Sequence, residues 1–194
     1  MRNSKIKPVI VILSIMLLSI PCRLPGLSFD HSLTLCEDDP IPMIDMVKSE
    51  DSLYFDCMVR LISEESGARP DWIMATIMIE SRFNEDARNE TTDAYGLIQF
   101  MPKTLEWMGV SEADLENGQL HYVRKYFQEI VKHFGRINSP EDTYLAVFYP
   151  KAMGKPLAYR IGGAKVYRLN SGLDANHDGV LTKEDIKRKI NALL

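Results

Sequence analysis

Glu80 closes a run of residues, Trp72-Ile73-Met74-Ala75-Thr76-Ile77-Met78-Ile79, that is apolar nearly all round. A helix with apolar residues on every face belongs in a protein interior, which puts this acid at the edge of a buried element. A surface carboxylate just past a core helix is the plainer alternative, and the commonest fate of a glutamate. Three features weigh against it. The acid lies near a helix C-terminus, where the macrodipole opposes negative charge. Apolar surroundings raise its pKa further by desolvation. The segment around Gly96 is poor in charge yet supplies an amide, an aromatic and a thioether, as a sugar-binding wall would. A glutamate kept protonated near neutrality suits a glycosidic general acid.

Two motifs stand around this acid: Glu80-Ser81-Arg82-Phe83-Asn84, and Ala94-x-Gly96-Leu97-Ile98-Gln99-x-Met101-Pro102-x-Thr104. Together, at this spacing, they resemble the core of the SLT-type lytic transglycosylases, lysozyme-like enzymes that cut bacterial peptidoglycan. The resemblance implies that Glu80 is the catalytic acid and that Ser81 orients it. It further implies that Gln99 and the backbone near Gly96 hold the sugar while Phe100 and Met101 line the groove. That family usually carries Ala-Tyr-Asn-Ala-Gly on a later helix, its tyrosine facing the acid. Here the sequence reads Val147-Phe148-Tyr149-Pro150, then Lys151-Ala152-Met153-Gly154-Lys155-Pro156. Strict register puts Phe148 in the tyrosine's place, a one-residue shift brings in Tyr149, and both aromatics as core is the third reading. The Phe-Tyr-Pro…Gly-Lys-Pro form resembles transglycosylase modules of phage tail proteins.

A second motif with chemistry runs from residue 174 to residue 185. Asp174, Asn176 and Asp178 stand at positions 1, 3 and 5, with Gly179 at 6, the Val180 carbonyl at 7, Leu181 at 8 and Asp185 at 12. Oxygen ligands on a sharply turned chain in that register fit a calcium loop. Asp185 stands where a bidentate glutamate is usual, as in dockerin-like loops. An Asx-rich turn leading into a surface helix is the alternative. Phage-type transglycosylases of this kind close on a similar loop, so the resemblance extends from about residue 53 to the C-terminus. Calcium is thus expected as a structural ion, with no cofactor for catalysis.

The elements that must position these groups are helical. Phe55, Met58, Val59 and Ile62 follow helical spacing over 53–66, and Gly67 stops that run. Pro70 and Asp71 suit the first turn of the helix bearing Glu80. Pro102 opens a short helix over 103–108, and Ser111 caps a turn through Leu115. The clearest amphipathic helix spans 120–134, with Val123, Tyr126, Phe127, Ile130, Val131 and Phe134 on its apolar face and Gly135 ending it. Ser139-Pro140-Glu141-Asp142 starts a helix through Phe148, and a last one is expected over 183–194. No convincing alternating strand or internal repeat appears, so the fold class is mainly α, a lysozyme-like helical domain with a C-terminal calcium-loop–helix. The expected organisation is a signal peptide over 1–28, an irregular lead-in over 29–52, the transglycosylase domain over 53–170, and the loop and terminal helix over 171–194.

The first 28 residues read as a processing segment. Arg2, Lys5 and Lys7 precede the apolar run of residues 9–20, and Gly26-Leu27-Ser28 offers small residues for cleavage. The run is short for a spanning helix, and an uncleaved segment is the only route expected to a membrane. Cys22 lacks the small preceding residue of a lipidation site, since Pro21 stands there. An exported, periplasmic or extracellular protein follows. Cleavage would remove four of the 23 basic residues and none of the 27 acidic ones, leaving 19 against 27 and a net charge of −8. Such a balance excludes a basic footprint for nucleic acid. It would not draw the protein to an anionic wall either, so recognition of glycan strands must come from the groove. Cys36 and Cys57 would remain, either as a disulfide or as two thiols. The four histidines are scattered without metal-protease spacing. Met74 and Met78 read as core.

The reading these residues support is a secreted enzyme that cleaves the β-1,4 bond between N-acetylmuramic acid and N-acetylglucosamine. Two-carboxylate glycosidases need a second acid across the scissile bond, and the only candidates near Glu80 are Glu85, Asp86, Glu90 and Asp93 on the intervening polar loop. The resemblance implies a one-acid route instead, in which the sugar's own 6-hydroxyl attacks the anomeric carbon and leaves a 1,6-anhydromuramic end. A goose-type-like hydrolase using Asp93 or Asp86 to position water is the runner-up. A calcium-stabilised, non-catalytic wall-binding or assembly module is a third reading, for which Glu80 beside Ser81 has no use.

Overall fold

The computed structural model describes residues 40–48, 51–116 and 118–194. The expected signal segment, Cys36 and most of the lead-in lie outside the described residues. A short 3-10 turn, Ile44–Met46, precedes eight helices: α1 (Ser52–Ser66), α2 (Pro70–Glu80), α3 (Pro102–Met108), α4 (Glu112–Leu115), α5 (Gln119–Phe134), α6 (Pro140–Phe148), α7 (Ala164–Leu169) and α8 (Lys183–Asn191). Among the described residues, extended pairing is confined to three isolated bridges. The mainly α, lysozyme-like expectation therefore holds.

Local chemistry sets the helix ends. α1 stops at Gly67, whose φ of 86° needs a residue without a Cβ penalty. Pro70 and Pro140 occupy the first turns of α2 and α6, where a missing N–H costs nothing. Ser139 caps α6 by accepting the Asp142 N–H, and reciprocal capping boxes, Ser111 with Asp114 and Thr182 with Asp185, start α4 and α8.

α2 is the central element. Ile73, Met74, Ala75 and Ile77 are completely buried, and α1, α6 and α8 pack around it. Each such isoleucine contributes about 1.5–3 kcal/mol through burial, which anchors the helix that presents Glu80. One core joins α1, α2 and α5 through Phe55, Val59, Ile62, Ile73, Ile77, Val123 and Phe127. Arg124 on α5 pairs with Glu65 on α1 across its rim. The other core joins Ala75 of α2 to Tyr144 and Leu145 of α6 and to Ile186 and Ile190 of α8. Residues 171–194 thus share a core with α2. Lys183, itself buried, donates to Asp142 of α6, which also accepts the Gly154 N–H.

The apolar stripe of α5 ends earlier than its periodicity predicts. Val123, Tyr126, Phe127 and Ile130 are buried, but Val131 is only half-buried and Phe134 is exposed, because the chain leaves the core at Gly135. The helix α7 was not expected from any pattern. It is six residues long, too short to display a period. It rests on the expected calcium loop: the Ile161 N–H donates to the Leu181 carbonyl (2.8 Å), and the Lys183 N–H donates to Tyr159 (3.0 Å). The segment leading into α7 therefore takes the edge of the loop. No helix of the described residues is long and apolar enough to cross a membrane.

Candidate active site

Glu80 is the last residue of α2, held there because Arg82 and Phe83 turn the chain with φ of 54° and 61°. Phe83 fixes that turn by packing edge-on against Phe55 of α1, ring centroids 5.9 Å apart. The Glu80 side chain reaches a cleft of about 660 Å³ bounded by the 89–101 loop, the C-terminal end of α6 and α7. Burial raises its pKa from 4.5 to about 7, and the neighbouring Tyr144 hydroxyl, which favours the ionised form, offsets that rise only in part. Desolvation wins, so the carboxyl is poised near neutrality, as its place at the end of an apolar helix implied.

Tyr144 is the partner that the sequence reading missed. It lies on α6, buried, with its ring stacked on Phe148 at 5.7 Å. Burial and the neighbouring Glu80 push its own pKa well above 10, so it remains a donor. Its position one turn before Phe148 was the available signal, because residues four apart share a helix face. Phe148 and Tyr149 both line the cleft. A third tyrosine, Tyr126, is raised by burial and by Glu80, and its hydroxyl donates to the Ala146 carbonyl at 2.7 Å, which locks α5 to α6 beneath the site.

The loop carrying the second motif is built around Gly96. The Gly96 N–H donates to Ala87 (2.8 Å), and Tyr95 and Phe100 exchange backbone hydrogen bonds. Gln119, buried at the start of α5, accepts the Leu97 N–H at 2.8 Å and donates to the Glu85 carbonyl at 2.6 Å. A Cβ on Gly96 would run into that amide, and its φ of 82° is left-handed, so glycine is required here twice over. Gln99 lines the cleft and spends its amide N–H groups on Ala87 (2.9 Å) and Gly96 (3.0 Å). It braces the loop from within the cleft. Met101, 44% exposed, lines the cleft as expected.

Two expected site residues are placed differently. Ser81 is buried, and its hydroxyl donates back to the Ile77 carbonyl at 3.3 Å, as serine commonly does at a helix end, instead of toward Glu80. Phe100 is buried against Tyr126, ring centroids 6.0 Å apart, and does not line the cleft. Gly96 shapes the loop from behind. The structure adds Asn89, Thr91 and Thr92 from the polar loop, and Lys165, Val166, Arg168, Leu169 and Asn170 from α7 and its end. None of these carried a sequence signal.

The acids considered for a second carboxylate stay outside. Asp93 pairs with Arg88 (3.5 Å) and Asp86 accepts from Tyr95 (3.4 Å), both exposed. Among the described residues, Glu80 is the only carboxyl group that lines the cleft.

Beyond α7, the Asp174 carboxylate accepts the Tyr167 hydroxyl and the Gly179 N–H, each at 3.0 Å, with its Oδ1 buried and without a hydrogen-bond partner. Asn176 and Asp178 bond to each other across the loop (2.9 Å). Asp185 accepts from Ala175 and caps α8 through Thr182. Among the described residues, no group of three His, Cys, Asp or Glu side chains converges as a ready metal cluster.

The family model of the transglycosylase SLT domain matches residues 58–168, which include Glu80, the Gly96 loop and α6. No curated protein matches the chain. That span is more than half of the 194 residues and contains every cleft-lining residue except Leu169 and Asn170, so the chain belongs to the transglycosylase SLT domain family of lytic transglycosylases acting on peptidoglycan.

Proposed function

We propose that the protein is an exported lytic transglycosylase that cleaves the β-1,4 bond between N-acetylmuramic acid and N-acetylglucosamine and leaves 1,6-anhydromuramic ends. The observation that carries this reading is the solitary carboxyl of the cleft, Glu80, with its pKa near 7. With a pKa there, both protonation states are populated at neutral pH, which one residue acting first as acid and then as base requires. Protonated Glu80 gives its proton to the glycosidic oxygen as the bond to the anomeric carbon breaks. The resulting carboxylate, held by the Tyr144 hydroxyl, then accepts the proton of the muramic 6-hydroxyl as that oxygen bonds to the same carbon. Glu80 ends protonated and no water is consumed. The intramolecular hydroxyl supplies a nucleophile already in place, so no second carboxylate is needed. Mass spectrometry of digested peptidoglycan tests this directly. Fragments lighter by one water than hydrolytic ones support it, and a majority of reducing ends would instead indicate the hydrolase route.

We further infer that the loop over 174–185 holds a structural calcium ion through Asp174, Asn176, Asp178, the Val180 carbonyl and Asp185. The buried, unpartnered Oδ1 of Asp174 supports this, because such an oxygen costs about 1–3 kcal/mol unless something satisfies it. The oxygen-rich donor set suits a hard cation. Asp185 would have to relax its capping contacts to join. The ion would supply charge neutralisation at the loop and takes no part in the proton transfers at Glu80. The Phe148-Tyr149-Pro150 form and this loop together favour placement in the phage-tail-like subgroup.

A further inference from the structure

Between Asp142 and Asp174 the chain carries five basic residues, Lys151, Lys155, Arg160, Lys165 and Arg168, and no acidic one. The other 18 basic residues stand against 27 acidic ones, so this stretch opposes the charge of everything around it. Among the described residues, none of the five makes an ion pair or a side-chain hydrogen bond. Lys165 and Arg168 stand on α7 within the lining of the catalytic cleft, and every other lining side chain except Glu80 is uncharged. Two cations against the one acid Glu80 leave the cleft lining net positive inside an acidic protein. Cations left unpaired along a concave wall focus the field toward an anion. A neutral sugar backbone gives them nothing to pair with, whereas the muramic side of a peptidoglycan strand carries carboxylates.

We propose that Lys165 and Arg168 form a specificity wall that recognises a carboxylate borne on the muramic residue beside the scissile bond. This rests on the peptidoglycan-cleaving reading above and names the part of that substrate which the cleft selects. The carboxylate comes either from the lactyl group of a peptide-free strand or from the stem peptide of a substituted one. The guanidinium of Arg168 supplies paired donors for it and Lys165 a mobile point charge.

The test measures binding by titration calorimetry in a Glu80→Gln background, which removes turnover from the readout. Three muramyl tetrasaccharides serve as ligands: peptide-free with a free lactyl carboxylate, stem-peptide-bearing, and stem-peptide-bearing with every carboxylate amidated. Lys165→Gln/Arg168→Gln is expected to weaken a charged ligand roughly tenfold, the sum of two exposed charge contacts, and to leave the amidated ligand unchanged. Loss confined to the peptide-free ligand assigns the lactyl carboxylate, and loss confined to the peptide-bearing ligand assigns the stem; either supports the proposal. Lys165→Arg alone should retain the affinity, and added salt should erode it. Equal loss on the amidated ligand, no loss on either charged one, or no binding of either charged ligand by the Glu80→Gln protein overturns the proposal. Cleavage by the wild-type chain is scored separately. A protein that binds by this pattern without cutting would defeat the enzymatic reading and leave the specificity wall standing.

Discussion

The Tyr144 hydroxyl neighbours the Glu80 carboxyl across the α2–α6 contact, from one turn before the Phe148-Tyr149 pair. The hydroxyl favours the ionised acid while burial favours the neutral one, and burial is the larger effect. Burial therefore sets the acid's proton affinity and Tyr144 of α6 lowers it in part, while the terminal aromatics of α6 line the cleft.

Tyr144→Phe should raise the Glu80 pKa above 7, because it removes the one effect that lowers it. A hydrogen bond to a charged group is worth about 1.5–3 kcal/mol, or roughly one to two pKa units. The limb of the pH–rate profile that reports ionised Glu80 should move to higher pH by that amount. Turnover should fall about 10–100-fold, since the carboxylate formed after proton transfer loses its partner. Tyr149→Phe should leave the limb in place. An unmoved limb in Tyr144→Phe would show that the two side chains do not interact in solution.

Glu80→Gln should reduce peptidoglycan cleavage by about 10²–10⁴-fold, the usual worth of general acid catalysis, and should change the pH dependence of stability. The folded-state pKa is about 7 against 4.5 unfolded, so the group's contribution is fully present below pH 4.5. It is lost as pH rises through 7, when the folded state too must ionise. That difference amounts to about 3 kcal/mol. Guanidinium titrations of the wild-type chain should show stability declining between pH 4.5 and 7, and the variant should lack that slope. The variant should accordingly be the more stable protein at pH 8.

Much of this site is legible in the sequence because apolar periodicity dictates burial. The all-round apolar run of residues 72–79 implies a central helix, a central helix implies a desolvated Glu80, and the structure has both. Gly96 stands in the motif as part of a sugar-holding segment, but what requires glycine there, the Gln119 amide, lies 23 residues on and leaves no local trace. Tyr144 reads as an ordinary core aromatic because its face, not its type, makes it a partner of Glu80. Ser81 and Phe100 sit inside the motif but turn away from the cleft, since a serine at a helix end can satisfy itself on a carbonyl and an aromatic gains more in the core. α7 is invisible to pattern because its position comes from pairing with the 181–183 backbone and from Tyr167.

Gly96→Ala should destabilise the protein by several kcal/mol, as the new methyl meets the Gln119 amide and the left-handed backbone adds about 1–2 kcal/mol. Gln119→Ala alone should also destabilise, by freeing the Leu97 N–H and the Glu85 carbonyl. Because the collision needs both side chains, the double variant should be more stable than the sum of the two losses predicts. A thermal-melt double-mutant cycle measures this, and strict additivity would count against the contact.

Calcium should raise the melting temperature of the chelator-treated protein in proportion to the logarithm of its free concentration, as expected for an ion that binds only the folded state. Asp174→Asn keeps the shape of the side chain and, through its amide oxygen, the bonds to Tyr167 and Gly179, but puts an amide nitrogen, which cannot ligate a cation, where the unpartnered oxygen stood. It should abolish the response while altering the ion-free melting temperature little. Asp185→Glu should tighten binding if the longer side chain reaches the ion with both oxygens, at some cost to the Thr182 capping box. The loop ligands do not line the cleft, so kcat at low temperature should survive chelation. KM should rise, because Tyr167 ties Asp174 to α7 and α7 forms one wall of the cleft. Tyr167→Phe separates the two effects: the calcium-dependent melting shift should persist, and the dependence of KM on calcium should shrink. Calorimetric titration showing no heat of binding, with no shift in melting, would reduce the 174–185 segment to a turn that props α7 by hydrogen bonds alone.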